Sequence, residues 1–93
     1  MRFGILGFGN IARKFVKSIT YTNGTVYAIA SRSLKENDPY IQEHKDVKLY
    51  HAYEDLLKDK NVDAVYIALP HDEHKQWILK SLSYHKAVLS EKP

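Results

Sequence analysis

The fold is decided by the stretch Phe3-Gly4-Ile5-Leu6-Gly7-Phe8-Gly9-Asn10-Ile11-Ala12 near the start of the chain. A short apolar run enters a glycine turn, and an apolar stripe at helical spacing leaves it through Ile11, Ala12, Phe15, Val16 and Ile19. This order predicts a strand, a tight turn and a helix. In such a unit the first glycine makes the turn, the second lets a pyrophosphate approach the backbone, and a small third residue lets helix and strand pack closely. The turn is therefore predicted to bind a dinucleotide through Gly7, Phe8, Gly9, Asn10 and Ile11.

Strand and helix patterns alternate along the rest of the chain, which predicts a parallel sheet with crossover helices. Strands are expected near Phe3–Leu6, Val26–Ala30, Val47–Tyr50, Ala64–Ala68 and Ala87–Leu89, and helices near Asn10–Thr20, Pro39–Lys45, Tyr53–Lys58 and Asp72–Tyr84. Asp38 and Pro39 are expected to cap and begin the second helix, after a loop. Right-handed crossovers give the strand order 3-2-1-4-5, a doubly wound α/β Rossmann fold with its ligand where strands one and four end.

Composition limits the classes of protein that remain. The 93 residues allow one domain with a modest core. The chain has no cysteine, and its five histidines form no evident converging set, so neither a disulfide framework nor a metal site is expected. The 14 basic and 11 acidic residues are mixed along the chain, which argues against a nucleic-acid surface. Neither a secretory leader nor an apolar run of membrane-spanning length is found, so a soluble cytoplasmic protein without a membrane partner is expected.

Three segments carry a resemblance to the amino-terminal dinucleotide-binding domain of the glucose-fructose oxidoreductase / inositol dehydrogenase (Gfo/Idh/MocA) family. They are the glycine turn, Val62-Asp63-Ala64-Val65-Tyr66-Ile67-Ala68-Leu69-Pro70-His71-Asp72-Glu73-His74, and Ala87-Val88-Leu89-Ser90-Glu91-Lys92-Pro93. The Pro-x-x-x-His turn followed by Glu-Lys-Pro is more specific than the glycine turn alone. Family members are longer, two-domain proteins, so the resemblance implies that residues 1–93 are an NAD(P)-binding domain. It also implies that a second, α+β substrate domain, through which a homo-oligomer is expected to form, is absent from this chain.

The cofactor is expected to be chosen just after the second strand, where a carboxylate would accept hydrogen bonds from the ribose 2′-hydroxyl of NAD. This chain has Ser31 and Arg32 there, and no Asp or Glu until Glu36. A guanidinium and hydroxyl groups can hold a 2′-phosphate, and the guanidinium plane can stack on adenine. NADP is therefore predicted, with NAD as the alternative. Lys35 is a weaker candidate for the same phosphate, and Arg32 could instead be a plain exposed loop residue.

The loop after the fourth strand is assigned to the nicotinamide half by the resemblance, through Leu69, Pro70 and His71, where many relatives have Asn in place of His71. His74 matches a family histidine, but it shares a helical face with Trp77, Ile78 and Ser81 and could simply pack there. His85 stands where a glycine commonly ends the last helix, so this connection is expected to differ slightly.

Glu91 and Lys92 carry the chemistry that the resemblance implies. Glu91 is expected to help fix the nicotinamide end, and Lys92 to reach the reacting oxygen of the substrate. An ammonium beside a carbonyl stabilises the alkoxide that develops during hydride delivery. The implied protein is an NADP-dependent oxidoreductase acting on a secondary alcohol or ketone of a small sugar, polyol or cyclic diol. The alternatives are a non-catalytic dinucleotide sensor of the same fold, or a domain from another reductase class that shares only the glycine turn. For Glu91-Lys92-Pro93 itself, the alternative is a plain surface tail.

Overall fold

A computed structural model describes residues 1–19 and 24–90, with the side chains of His71 and Ser90 left outside that description. The elements follow in the order β1 (Arg2–Leu6), α1 (Asn10–Ser18), β2 (Thr25–Ala30), α2 (Pro39–Glu43), β3 (Lys48–Tyr50), α3 (Tyr53–Leu57), β4 (Ala64–Ile67), α4 (His71–Ser83) and β5 (Ala87–Ser90). Each predicted strand and helix is present, and its described ends lie within two residues of the predicted positions. Thr20, the predicted end of the first helix, lies outside the described residues.

The five strands form one parallel sheet in the order β3-β2-β1-β4-β5, which confirms the predicted topology. β1 is central, and its last residue, Leu6, pairs with Ala30 of β2 on one side and Ile67 of β4 on the other. The carboxyl ends of these three strands therefore lie side by side. The chain passes from β1 to β2 on one side of the sheet and later crosses to β4 on the other side. The carboxyl ends of these strands therefore form the switch point where ligands of doubly wound folds bind.

Two apolar clusters cover the two faces of the sheet, because successive side chains of a strand point to opposite sides. Ile5 of β1 packs with residues of α1 and α2, whereas Leu6 packs with residues of α3 and α4. Ile11 is the exposed member of the predicted apolar stripe: it is 54% exposed, whereas Ala12, Val16 and Ile19 are buried. Its place in the first turn points it away from the sheet while Ala12 is buried.

The second helix begins as predicted. The Asp38 carboxylate accepts a hydrogen bond from the Tyr40 N–H at 2.9 Å, and Pro39 takes the first helical position. The helix stops at Glu43, two residues earlier than predicted. His44 leaves the helical conformation, and its ring nitrogen Nδ1 lies 2.9 Å from the Tyr40 carbonyl. The imidazole therefore contacts one of the carbonyls at the carboxyl end of the helix.

The connection from α4 to β5 keeps a left-handed residue although it lacks glycine. His85 has φ 63°, and its N–H donates to the Leu82 carbonyl at 2.9 Å, which closes the helix. The next residue, Lys86, is only 9% exposed, and its ammonium donates to the carbonyls of Asp59 at 2.7 Å and Val62 at 2.6 Å. The start of β5 is thereby tied to the loop between α3 and β4.

Candidate dinucleotide-binding site

Gly7 makes the turn that ends β1. Its φ is +83°, and a Cβ added there would lie 2.8 Å from both the Ala68 carbonyl oxygen and Leu69 Cδ2. Its N–H donates to the Ala30 carbonyl at 2.8 Å, so the turn is also bound to the end of β2. Only glycine combines this conformation with this close approach of the residues that follow β4, as the sequence motif predicted.

Gly9 occupies the N-cap position of α1 and faces open space. Beyond the chain neighbours and the helix's own backbone, a Cβ built on it meets no described atom within 4 Å, and its backbone is extended, with φ −89°. Among the described residues no side chain caps this helix, so the first-turn N–H groups point outward with the positive end of the helix dipole. Asn10 and Ile11 are exposed beside it. This geometry suits an approaching phosphate.

The side chain of Phe8 is buried in the apolar core. The residue is 8% exposed, its ring centroid lies 5.0 Å from that of Tyr40, and the Arg13 guanidinium lies 4.7 Å from the same centroid. The side chain belongs to the cluster beneath α1 and α2. Because the side chain is buried, Phe8 can make its predicted contact with the cofactor only through its main chain.

Ser31 shapes the loop after β2. It is buried, its N–H donates to the Tyr50 carbonyl at 2.9 Å, and its Oγ accepts from the N–H groups of Ser33 at 3.4 Å and Leu34 at 3.2 Å. The hydroxyl oxygen therefore holds the loop in place, while the hydroxyl hydrogen is a donor that a ligand can use.

Arg32 turns toward the face of the sheet that carries α3 and α4. Its guanidinium lies 4.9 Å from the Tyr53 ring centroid and 3.7 Å from Glu73 Oε1 in the first turn of α4. Burial raises the pKa of the Tyr53 phenol, so the ring beneath the cation stays neutral at physiological pH. The Arg32 side chain is 66% exposed. An exposed pair of this length holds it weakly, so Arg32 can move toward a ligand.

A cleft of about 400 Å³ lies between the start of α1 and the loop that joins β2 to α2. It is lined by Phe8, Arg13, Ser31, Ser33, Leu34, Lys35, Asn37, Asp38 and Pro39. The two nitrogens of the Arg13 guanidinium lie 2.8 and 3.5 Å from the Asp38 carboxylate oxygens. The pKa of Asp38 is lowered from its usual value, mainly by the hydrogen bond from Arg13.

Arg13 and its pairing with Asp38 were missed by the sequence analysis. The available signal was the position of Arg13, one residue after Ala12 and thus in the first turn of the helix that follows the glycine turn. A contact between residues 25 positions apart leaves no local pattern.

On the other side of the glycine turn, Leu69 touches the turn and Pro70 precedes the first residue of α4. His74 is half-buried, while Trp77 and Ser81 on the same helical face are buried, so neither interpretation of His74 is decided. The backbone of His71 begins α4. Its side chain, together with Glu91 and Lys92, lies outside the described residues.

A larger groove, of about 650 Å³, runs between α1 and α2 toward the amino ends of β2 and β3. Its described lining includes Gly24, Thr25 and Asp46, at the end of the sheet opposite the glycine turn. Size alone therefore does not mark the site. Across the described residues, no helix has the length and apolar character needed to cross a bilayer.

Comparison with known proteins agrees with this geometry. Trans-1,2-dihydrobenzene-1,2-diol dehydrogenase from Mus musculus is 40% identical over 96 residues, an alignment that covers 100% of this chain and 29% of that enzyme. A 3-ketoreductase from Actinomadura kijaniata, solved with NADP and TDP-benzene, matches with a TM-score of 0.88 and 33% identity, over 100% of this chain and 29% of its own. Apo scyllo-inositol dehydrogenase from Lactobacillus casei matches with a TM-score of 0.88 and 27% identity, over 100% and 28%.

The chain thus spans less than a third of the length of these relatives. The family model described as "Oxidoreductase family, NAD-binding Rossmann fold" matches residues 1–93, which is the whole chain. The resemblance inferred from the three sequence segments is confirmed. On the strength of this match and of the glycine turn at the switch point, the chain belongs to the Gfo/Idh/MocA oxidoreductase family.

Proposed function

We propose that residues 1–93 form the NADP-binding domain of an enzyme that transfers a hydride between its cofactor and a secondary alcohol or ketone of a sugar, polyol or cyclic diol. The observation that carries this proposal is the pair of glycines at the end of β1. Gly7 closes the turn against β4, and Gly9 leaves space above an uncapped helix start. A pyrophosphate fits there, against Gly7, Gly9, Asn10, Ile11 and the Phe8 main chain.

NADP rather than NAD is proposed because the loop after β2 has no carboxylate where the ribose hydroxyls are recognised. Ser31 and Arg32 stand there instead, and Lys35 follows on the same loop. The 3-ketoreductase that matches over the whole chain was solved with NADP, which supports the choice. Arg32 is exposed enough to stack on adenine or to reach a phosphate.

The nicotinamide half is assigned to Leu69, Pro70, His71, His74 and Glu91, and the substrate oxygen to Lys92. When bound, a nicotinamide dinucleotide supplies or accepts the hydride. The Lys92 ammonium places positive charge beside the substrate oxygen, which favours the alkoxide in either direction of the reaction. The proposed substrate class follows from relatives named for a dihydrodiol and for scyllo-inositol.

The setting of the enzyme is proposed on similar grounds. The relatives are about three times longer than this chain, so we place the substrate-binding surface, a second acid/base group and the contacts of a homo-oligomer outside residues 1–93. We propose a cytoplasmic enzyme whose partners are small molecules, because the mixed charges favour neither nucleic acid nor a membrane surface.

The test is calorimetric titration of the protein that carries this domain with NADP and with NAD. NADP is expected to bind more tightly. Arg32→Ala should cost NADP roughly 1–3 kcal/mol, the range for a hydrogen bond to a charged group, with little loss for NAD. Equal affinities of the unmodified protein for the two dinucleotides would refute the assignment to NADP.

A further inference from the structure

We infer that Arg13, held in position by Asp38, binds the 2′-phosphate monoester of the cofactor's adenosine ribose. The inference rests on the proposed function and refines it, since the sequence motif points only to the residues after β2. It gives the glycine-turn helix a second role: its start faces the pyrophosphate, and a side chain from its first turn recognises the phosphate that distinguishes NADP from NAD.

The position of Arg13 fits this role. Its N–H donates to the Gly9 carbonyl at 3.0 Å, so the residue lies one turn into α1 from the open space above Gly9. Its side chain lines the same cleft as Phe8 of the turn and Ser31 at the end of β2. The cleft therefore connects the expected pyrophosphate position with the strand end where ribose hydroxyls are recognised.

The guanidinium is fixed before any ligand arrives. Asp38 lies 2.8 and 3.5 Å from its two terminal nitrogens, and the Phe8 ring lies 4.7 Å below it. Asp38 is itself fixed, because it caps α2 through the Tyr40 N–H at 2.9 Å. A guanidinium has five N–H groups and Asp38 can satisfy two of them, so donors remain for a phosphate. The Arg13 side chain is 41% exposed, which leaves it accessible.

The charges around the cleft favour an anion. Arg13 and Lys35 each carry a positive charge, Asp38 carries one negative charge, and Ser33 and Asn37 add neutral donors. Arg32, in contrast, is not among the described residues that line the cleft, and it pairs with Glu73 above Tyr53. A fixed cation loses less conformational entropy on binding than a mobile one, so Arg13 is the better phosphate ligand of the two.

The experiment measures the affinity of the protein that carries this domain for two pairs of ligands. These are NADP against NAD, and adenosine 2′,5′-bisphosphate against adenosine 5′-monophosphate. Arg13→Ala should weaken binding of the two 2′-phosphorylated ligands roughly ten- to a hundredfold and change the other two by less than about twofold. Lys14→Ala is the matched control, because it removes the same charge from the adjacent, exposed position. Lys14→Ala should leave unchanged the ratio of the affinities for NADP and NAD, and likewise the ratio for the two adenosine phosphates.

Arg13→Lys covers the case in which Arg13→Ala fails to fold, since it keeps a cation beside Asp38. It should still lose several-fold for the 2′-phosphorylated ligands, because an ammonium lacks the two-pronged geometry of a guanidinium. The inference is overturned if the Arg13 variants weaken NADP and NAD equally, if they weaken neither, or if Lys14→Ala has the same effect as Arg13→Ala. If the variants still bind NAD in any of these cases, the proposed dinucleotide-binding function remains supported. If the parent protein binds neither dinucleotide, both the proposed function and the inference about Arg13 are refuted.

Discussion

Replacing Gly9 with valine is expected to abolish dinucleotide binding while the domain stays folded. A Cβ added at this position meets no described atom within 4 Å beyond its chain neighbours and its own helix backbone, and φ −89° is open to any residue. The structural cost is limited to the poorer N-cap, about 1 kcal/mol. The ligand cost is much larger, because the new methyl groups occupy the space that a pyrophosphate needs against the backbone.

Gly7→Ala provides the matched contrast, two residues away in the same turn. The new Cβ would lie 2.8 Å from the Ala68 carbonyl oxygen, and φ +83° disfavours an L-residue. The left-handed conformation costs about 1–2 kcal/mol and the overlap about 1–3 kcal/mol more, so a loss of roughly 2–5 kcal/mol is expected. Relief by movement is limited, since the Ala68 N–H is bound to the Leu6 carbonyl at 2.9 Å.

The assay combines urea unfolding with calorimetric titration of NADP for the parent protein and both variants. Gly9→Val should unfold close to the parent and show no binding isotherm, while Gly7→Ala should unfold at clearly lower urea. Normal NADP binding by Gly9→Val would show that the ligand does not lie over this turn. A Gly7→Ala variant as stable as the parent would refute the close contact with Ala68.

Asp38→Asn keeps an acceptor for the Tyr40 N–H but loses the negative charge beside Arg13. The pKa of Asp38 is lowered in the folded protein, mainly by the Arg13 hydrogen bond. The stability that this carboxylate adds is therefore present above its unfolded pKa and is lost as pH falls through its folded pKa. At neutral pH, urea unfolding should give Asp38→Asn a free energy of unfolding lower than the parent's by at most about 1 kcal/mol, since the ion pair is half-exposed. This difference should vanish in acid, and a difference that grows in acid would contradict the predicted pH dependence. His85→Gly should raise thermal stability by about 0.5–1 kcal/mol, since relief of the left-handed conformation exceeds the entropy cost of glycine, whereas His85→Ala should give no gain. Ser31→Ala removes the acceptor of two loop N–H groups and should cost about 1–3 kcal/mol on chemical unfolding, so an unchanged midpoint would show that the hydroxyl does not hold the loop.

Local patterns were sufficient for the architecture. The glycine turn, the Asp38–Pro39 cap and the alternation of strand and helix patterns gave the elements and their order, because each depends on residues close together in sequence. The strand order followed from the handedness of crossovers rather than from any contact.

Side-chain direction and distant pairings were beyond those patterns. Ile11 fits a helical apolar stripe but faces solvent, since the stripe of a short helix is set by where the sheet lies. Arg32 was predicted from its position after β2, yet its present partners, Tyr53 and Glu73, come from two later helices. The pairing of Arg13 with Asp38 joins residues whose proximity exists only in the folded chain.

The buried ammonium of Lys86 makes the far edge of the sheet chemically observable. Acylating reagents modify free surface amines readily, but this amine is enclosed and donates to two carbonyls of the loop between α3 and β4. Its modification therefore requires the ammonium to leave these two carbonyls, which a local opening between the start of β5 and that loop provides without complete unfolding. Peptide mapping after timed acylation would read the opening rate of β5 directly, with exposed Lys14 and Lys45 as internal standards in the same sample.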